Sequence, residues 1–370
     1  YQYFFEQMHM DDAIYADESI YEYPMQQGGG NDGRPYSFGR PSSGGSKAAY
    51  PCKSYGQGRI NPAYFYGVFD PNDMRRDVSI TMTGSNGKGV EKLIPFVPNS
   101  KAEGGGLTLN KWDENRQANP WVAAQRKSGI NGPYMRMSEV YLGYAEVCAA
   151  LGDVVTGKQY LKTVRERSFP QGLANTDAFI ASFGNDLVRA IIEERGFEYA
   201  GEGDRRWTLI RSGYLPEDIK RIKDMTKAMM DGLATKGYYE FENGNIISAY
   251  IWTKLVDAKT IYGHRLTAQC PTDKVNDPVL YPGWRGQKDN WEEMGLNYGS
   301  STPATNLAIK GLFEIVSEEE AASLESQGYA KVNWGIDLVD YRDEYDKYLF
   351  WDYDYVSAPI YLWPFTPNVM

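Results

Sequence analysis

The stretch from Arg136 to Arg211 constrains the fold most, because it is the only part of the chain with sustained helical periodicity. It opens with RMSEVYLGYAEVCAALGD and closes with LVRAIIEERGFEYAGEGDRRWTLIR. Apolar residues three and four positions apart lie on one side of a helix. In the first helix this spacing selects Met137, Val140, Tyr141, Tyr144, Ala145, Cys148 and Leu151 as the buried stripe. A stripe of this kind requires a packing partner.

Two more helices are predicted within the same stretch. One runs from about Gly157 to Ser168 and forms a helical hairpin with the first, similar to a tetratricopeptide unit. The other runs from about Asp186 to Ala200 and places Glu194 on its inward side. A buried carboxylate is costly without a cationic partner. The candidate partners are Arg165, Arg205 and Arg206.

The residues on either side of this block read as loops with short regular elements. Strands are predicted at Val78–Met82 and in LTLNKWD (Leu107–Asp113), a further helix at Leu215–Met230, and a hairpin turn at Asn243 and Gly244. Ser317 to Glu320 is a capping box that opens a helix ending near Gly328. The fold class is therefore mainly α, with tetratricopeptide-like helical pairs, a loop-rich region and small β-hairpins.

Charge and cysteine content exclude several classes of protein. A net charge of -10 over 370 residues, without a run of Lys and Arg, argues against nucleic-acid binding. Cys148 is predicted to be a small buried hydrophobe, and pairing of Cys52 with Cys270 is left open. No apolar run approaches the roughly 20 residues that span a bilayer. Signal-peptide features are missing from the first residues, so we expect an export signal upstream in a longer precursor.

The side-chain inventory favours recognition over catalysis. The chain has 29 Tyr and 9 Trp but only 2 His, which gives many flat amphipathic rings and few acid/base groups. Glu193 and Glu194 point about 100 degrees apart on a helix and cannot flank one bond. A helical carbohydrate-active enzyme remains the alternative, with Asp289 and Glu292 as its best carboxylate pair. No Ser-His-Asp or metal-ligand set is evident.

The helical block resembles the SusD/RagB-like family of outer-membrane lipoproteins from Bacteroidota. The resemblance rests on RMSEVYLGYAEVCAALGD, YLKTVRERS and LVRAIIEERGFEYAGEGDRRWTLIRSGYL, in that order. ESIYEYPM, GQGRINPAYFYGVFDPNDMRRD and LTLNKWD upstream, and YLWPF near the end, are also similar to family segments. We therefore expect residues 1–370 to form one such domain without its N-terminal part. Its predicted segments are a loop-rich 1–132, a helical scaffold 133–230 and a mixed 231–370.

The resemblance implies a binding protein that is not an enzyme. Such proteins sit on the outer face of the outer membrane through an N-terminal lipid anchor, which this sequence does not include. They capture oligosaccharides, or in some members peptides, for a SusC-like TonB-dependent transporter. The helical repeats are expected to face that transporter. No cofactor is implied, and a calcium ion at Asp70–Asp77 is left open because the spacing matches no EF-hand.

Ligand contacts are expected in polar, loop-rich stretches that carry aromatic rings. Aromatic faces stack on sugar rings, while amides and arginines bond to sugar hydroxyls. The candidates are Tyr36, Tyr55, Trp284, Arg285, Asn290 and Trp291. For each of them ordinary packing in the core is the alternative.

Overall fold

The computed structural model describes residues 5, 18–26, 28, 38–39, 58–85, 91–97, 106–112, 127–169, 172–257 and 305–343. Helices dominate this part of the chain, as the sequence predicts, and the strands pair in small antiparallel sheets. The helices are α1 (Pro62–Gly67), α2 (Arg75–Ser79), α3 (Met137–Ala150), α4 (Val154–Glu166), α5 (Thr176–Ala181), α6 (Leu187–Glu198), α7 (Asp204–Ser212), α8 (Leu215–Lys236), α9 (Glu318–Ser326) and α10 (Gly335–Asp340). The strands are β1 (Ser19–Tyr23), β2 (Ile80–Thr81), β3 (Thr83–Ser85), β4 (Glu91–Leu93), β5 (Thr108–Leu109), β6 (Gly132–Arg136), β7 (Tyr238–Glu240), β8 (Ile246–Ser248), β9 (Tyr250–Asp257), β10 (Thr305–Lys310) and β11 (Ala330–Asn333).

The predicted helical hairpin is confirmed: α3 and α4 are joined by a short turn, pack together, and both contact α6. Helices α4 and α6 begin where an aspartate satisfies a free backbone N–H. Asp153 accepts from the Thr156 N–H at 3.1 Å before α4. Asp186 accepts from the Arg189 N–H at 3.0 Å before α6. Helix α4 therefore starts at Val154, three residues before the predicted position.

The buried face of α3 differs from the predicted stripe. Ala145 and Cys148 do face the core, together with Ser138 and Leu142. The prediction is wrong for Met137, Val140, Tyr144 and Leu151, which are exposed along with Val147. Helix α3 carries apolar residues on both sides, so periodicity alone could not select the side that meets α4 and α6.

Two hydrophobic clusters lie side by side. One joins α3, α4 and α6 through Leu142, Leu161 and Ile191. The larger cluster draws on α1, β2, α8, the C-terminal strands and α10, and Trp334 is its largest fully buried side chain. Phe179 of α5 contacts both clusters. The helical block is thus continuous with the rest of the described core.

The first short strand is only partly as predicted. Within the predicted strand Val78–Met82, residues up to Ser79 belong to helix α2, and β2 consists of Ile80–Thr81 alone, paired with β5. Just upstream, the Asp73 carboxylate accepts from the Arg75 N–H at 3.0 Å. Helix α2 begins after Met74 without a side-chain cap, so the alternating sequence gives no local sign of it.

The C-terminal half combines a predicted hairpin with an unpredicted sheet. Strands β7 and β8 pair across the turn at Asn243 and Gly244, which has a φ of +84°. The predicted helix at Leu215 is also confirmed, although α8 continues to Lys236. Ser317 accepts from the Glu320 N–H at 3.2 Å and opens α9 as predicted. Strand β9 lies between β10 and β11 in a three-stranded sheet that the sequence did not predict.

Candidate functional site

The structure leaves the predicted ligand contacts undescribed. Tyr36, Tyr55, Trp284, Arg285, Asn290 and Trp291 all lie outside the described residues, as does the Asp289 and Glu292 pair. The described residues hold two other features that bear on function. One is a buried ionic cluster beneath the helical hairpin, and the other is an exposed aromatic ribbon formed by β1 and β6.

Each of the adjacent glutamates of α6 has its own arginine partners. Glu194 is fully buried and accepts from Arg75 Nη1 at 2.6 Å and from Arg165 Nη1 at 2.8 Å. Arg165 was a predicted partner, whereas Arg75 was missed because nothing in the sequence links positions 119 residues apart. Arg205, another predicted partner of Glu194, bonds to Glu193 at 2.9 Å instead. Both carboxylates are held as parts of the scaffold.

The ionic cluster is centred on Glu198, at the last turn of α6. We define it as Glu18, Arg75, Lys111, Arg136, Arg167, Glu198 and Glu202. The Glu198 carboxylate accepts from Arg167 Nη2 at 2.6 Å and from Arg75 Nη1 at 3.0 Å, and it also binds Arg136 Nη1. Burial alone would raise the pKa of Glu198, but Arg167, Arg136 and Arg75 hold this pKa well below its usual range.

Lys111 lies at the edge of the ionic cluster with its side chain fully buried. Its ammonium donates to Glu202 Oε1 at 2.5 Å and to the Glu198 carbonyl at 3.3 Å. Burial lowers the pKa of Lys111 to about 8, although Glu202 favours the charged form. Because the ammonium is buried and bound by Glu202 and the Glu198 carbonyl, we assign it to the scaffold.

The ionic cluster ties β1, β6 and the end of α4 to α6. Glu18 precedes β1 and accepts from Arg136 Nη1 at 2.8 Å and from Arg167 Nη2 at 2.9 Å. Burial would raise the pKa of Glu18, but Arg167 and Arg136 lower it below its ordinary value. Since β1, β6, the end of α4 and α6 all meet at these groups, the cluster fixes the ribbon on the helical block.

The carboxylates of the Asp70–Asp77 loop are engaged by the protein itself. Asp70 accepts from the Asn72 N–H at 2.8 Å, Asp73 binds the Arg75 guanidinium at 2.7 Å, and Asp77 binds Arg76 Nε at 3.0 Å. Among the described residues no group of three or more His, Cys, Asp or Glu side chains is placed to hold a metal ion.

The aromatic ribbon consists of β1 and β6. It exposes aromatic side chains and buries charged ones, which reverses the usual arrangement. Tyr21, Tyr23 and Tyr134 are 50%, 51% and 72% exposed. Glu22 and Arg136 are both 1% exposed and turn towards the body of the protein. Strands that cover a core normally bury aromatic rings and expose charges. Here the ionic cluster below the ribbon receives Arg136, Asn131 donates to Glu22, and the rings remain outside.

The exposed rings have a defined arrangement. The Tyr21 and Tyr134 rings meet edge to face, with centroids 5.6 Å apart and an angle of 85° between their planes. The strands pair Tyr21 with Met135 and Tyr23 with Gly132, and the register shifts on both sides of Tyr21. These irregularities bring Tyr134 alongside Tyr21.

Hydrogen bonds fasten the far end of the ribbon as well. Asn131 Nδ2 donates to Glu22 Oε2 at 2.9 Å, and Asn131 Oδ1 accepts from the Met25 N–H at 2.9 Å. At the near end the Met137 N–H donates to the Glu18 carbonyl at 2.8 Å. With Glu18 in the ionic cluster, both ends of the tyrosine-bearing segment are held. In the sequence, ESIYEY was interpreted only as part of a family segment. Its alternation of Tyr and Glu does not indicate which side of the strand faces out.

A second exposed surface continues from the ribbon along α3. We call it the outer face of α3, and it consists of Met137, Val140, Tyr144, Val147 and Leu151. These residues recur at alternating spacings of three and four, which is the pattern of a helix seam that packs against another helix. It is aliphatic apart from Tyr144, in contrast to the tyrosine-rich ribbon.

Within the described residues no helix is both long enough and apolar enough to cross a membrane.

Comparison with known proteins gives a family for the chain. A sequence model of the SusD family matches residues 13–364. The SusD-like protein P25 of Formosa agariphila is 28% identical over 160 residues, which cover 43% of this chain and 26% of that protein.

Two solved structures are also similar to the chain at lower identity. A SusD homologue from Bacteroides thetaiotaomicron is 18% identical with a TM-score of 0.44, covering 60% of this chain and 47% of that one. Surface glycan-binding protein A from the same species is 19% identical with a TM-score of 0.40, covering 56% and 45%. The chain thus spans about half the length of these solved relatives and about a quarter of the curated one. Since the family model matches nearly the whole chain, the protein belongs to the SusD family.

Proposed function

We propose that this chain is a surface binding protein that captures oligosaccharides or polysaccharide fragments and passes them to a TonB-dependent outer-membrane transporter. The match of the SusD family model to residues 13–364 carries this proposal. The name of one relative, surface glycan-binding protein A, gives the ligand class for that protein, and we extend it to this chain.

The described side chains support binding rather than hydrolysis. A glycosidase needs two carboxyl groups about 5 to 10 Å apart in an open cleft. Glu193, Glu194 and Glu198 are instead buried in contact with arginines. The exposed tyrosines of the ribbon are the kind of flat amphipathic side chain that recognition surfaces use.

The location and partners belong to the same proposal. The protein acts on the outer face of the outer membrane, held there by a lipid anchor, with a SusC-like transporter beneath it. The six predicted contacts, Tyr36, Tyr55, Trp284, Arg285, Asn290 and Trp291, remain our candidates for the main ligand site. The proposed binding function includes no cofactor.

The test is to incubate the purified chain with a panel of soluble polysaccharides and measure two quantities in each sample. Retention of the polysaccharide reports binding, and new reducing ends report cleavage. We expect retention of at least one polysaccharide and no increase in reducing ends over the buffer control. Steady release of reducing ends would contradict the proposal and favour the enzyme alternative.

A further inference from the structure

The ribbon buries charged side chains and exposes aromatic ones, which reverses the usual preference of strands that cover a core. Glu22 and Arg136 are buried while Tyr21, Tyr23 and Tyr134 are exposed. A sequence selected only for stability would bury the rings, because each offers a large apolar area. Local choices that oppose the general rule concentrate at functional sites. The outward tyrosines therefore have a use at the surface.

The ribbon is also rigid enough to present rings in fixed positions. Glu18 is bound by Arg136 and Arg167 at one end, and Asn131 bonds to Glu22 and Met25 at the other. Groups that are already ordered lose little conformational freedom when a ligand binds. The edge-to-face contact of Tyr21 with Tyr134 further restricts both rings.

The chemistry of these rings selects the ligand class. The two rings are nearly perpendicular and in contact with each other, and both are at least half exposed, so a flat ligand can stack on the free face of one ring beside the other. Tyrosine adds a hydroxyl that bonds to polar groups at the rim of the ligand. A pyranose ring has an apolar face of C–H groups and a rim of hydroxyls, so it matches both properties. The neighbouring outer face of α3 lacks this polarity and suits a helix instead.

We propose that Tyr21 and Tyr134 form a stacking subsite for one pyranose ring of a bound oligosaccharide, in addition to the six contacts predicted above. Tyr23, on the other side of the buried Glu22, extends the platform along the ribbon. This inference rests on the proposed glycan-binding function and adds a named subsite to it.

Affinity electrophoresis of designed variants tests the subsite. The chain is run through native gels that contain soluble starch, xylan, laminarin or galactomannan, and its retardation is compared with that of Tyr21→Leu/Tyr134→Leu and Tyr21→Phe/Tyr134→Phe. Leucine keeps the apolar bulk but removes the flat ring, whereas phenylalanine keeps the ring. On the polysaccharide that retards the wild type, we expect the leucine variant to bind about 4-fold to 100-fold more weakly, since each of the two aromatic contacts is worth roughly 2-fold to 10-fold. The phenylalanine variant should stay within about 3-fold of the wild type.

Two controls separate stacking from other effects. Trp207→Leu alters an aromatic residue of α7 with a similar exposure of 55% and should leave retardation unchanged. The single variant Tyr134→Leu changes the most exposed ring of the ribbon, and it serves if the double variant fails to fold by circular dichroism.

Each outcome has one meaning. Equal retardation of the leucine variants and the wild type would overturn the subsite while leaving the proposed function intact. A loss in the phenylalanine variant as large as in the leucine variant would overturn stacking as the mode of contact. Absence of wild-type retardation on every polysaccharide would overturn both the subsite and the glycan-binding function.

Discussion

Glu198 illustrates how single residues hold this chain together. Its carboxylate is fully buried and binds the guanidinium groups of Arg75, Arg136 and Arg167, which come from three separate segments. Burying one charge without partners is very costly, but each group here is compensated and hydrogen-bonded. Glu198 is therefore part of the scaffold.

Removing the charge of Glu198 should destabilise the fold strongly. In Glu198→Gln the arginines keep their charges but lose the central carboxylate, so we expect the free energy of unfolding to fall by about 3–5 kcal/mol. Urea denaturation at pH 7 measures the change. Glu217→Gln is the matched control, because Glu217 is 66% exposed in its ion pair with Arg189 and should cost no more than about 1 kcal/mol. A loss as small as that of the control would contradict the assigned role.

Lys111 gives a pH dependence of the opposite sign to that of a lysine whose pKa is raised by a carboxylate partner. Its folded pKa of about 8 lies below the ordinary value of 10.5. Between these two pH values the unfolded chain binds a proton that the folded chain does not, so stability should rise with pH. Relative to Lys111→Met, which cannot titrate there, the wild type should gain up to about 3 kcal/mol between pH 8 and 10.5. Urea denaturation of both proteins across this range measures the gain, and a constant difference would contradict the shifted pKa.

At the scale of elements, the sequence predicted those helix starts and turns that depend on contacts within a few residues. The capping box at Ser317 and the turn at Asn243–Gly244 act within a few residues, and the elements that they delimit are present. The buried side of α3 depends on which neighbours cover it, and this the sequence does not encode locally. Strand β10 pairs with β9, although residues 258–304 separate them in the sequence. The residues within each strand do not indicate which distant strand it pairs with.

Two glycines of the helical hairpin test how closely its helices pack. A Cβ at Gly157 of α4 would lie 3.0 Å from the Ala145 carbonyl oxygen, whereas one at Gly143 of α3 would meet nothing within 4 Å. Gly143→Ala should therefore stabilise the chain by about 0.5–1 kcal/mol through helix propensity. Gly157→Ala should destabilise it by about 1–3 kcal/mol, because α3 and α4 must move apart. Thermal unfolding ranks the two variants, and equal effects would contradict the close contact.

At the scale of the whole molecule, the family could be recognised from the sequence but the outward position of the ribbon tyrosines could not. Family resemblance rests on the order of segments such as RMSEVYLGYAEV and IIEERGFEYAGEGDRRW, which the sequence displays directly. The outward position of Tyr21 and Tyr134 depends on the ionic cluster beneath the ribbon, assembled from residues more than 100 positions apart. A sequence that alternates Tyr and Glu fits either orientation of the ribbon.

The most direct test of the glycan-binding account is isothermal titration calorimetry of the 370-residue chain against matched panels of oligosaccharides and peptides. We predict saturable heat with at least one oligosaccharide and none with the peptides, because flat tyrosine faces and hydroxyls suit sugar rings. Saturable binding of peptides alone, with no response to any oligosaccharide, would contradict the account.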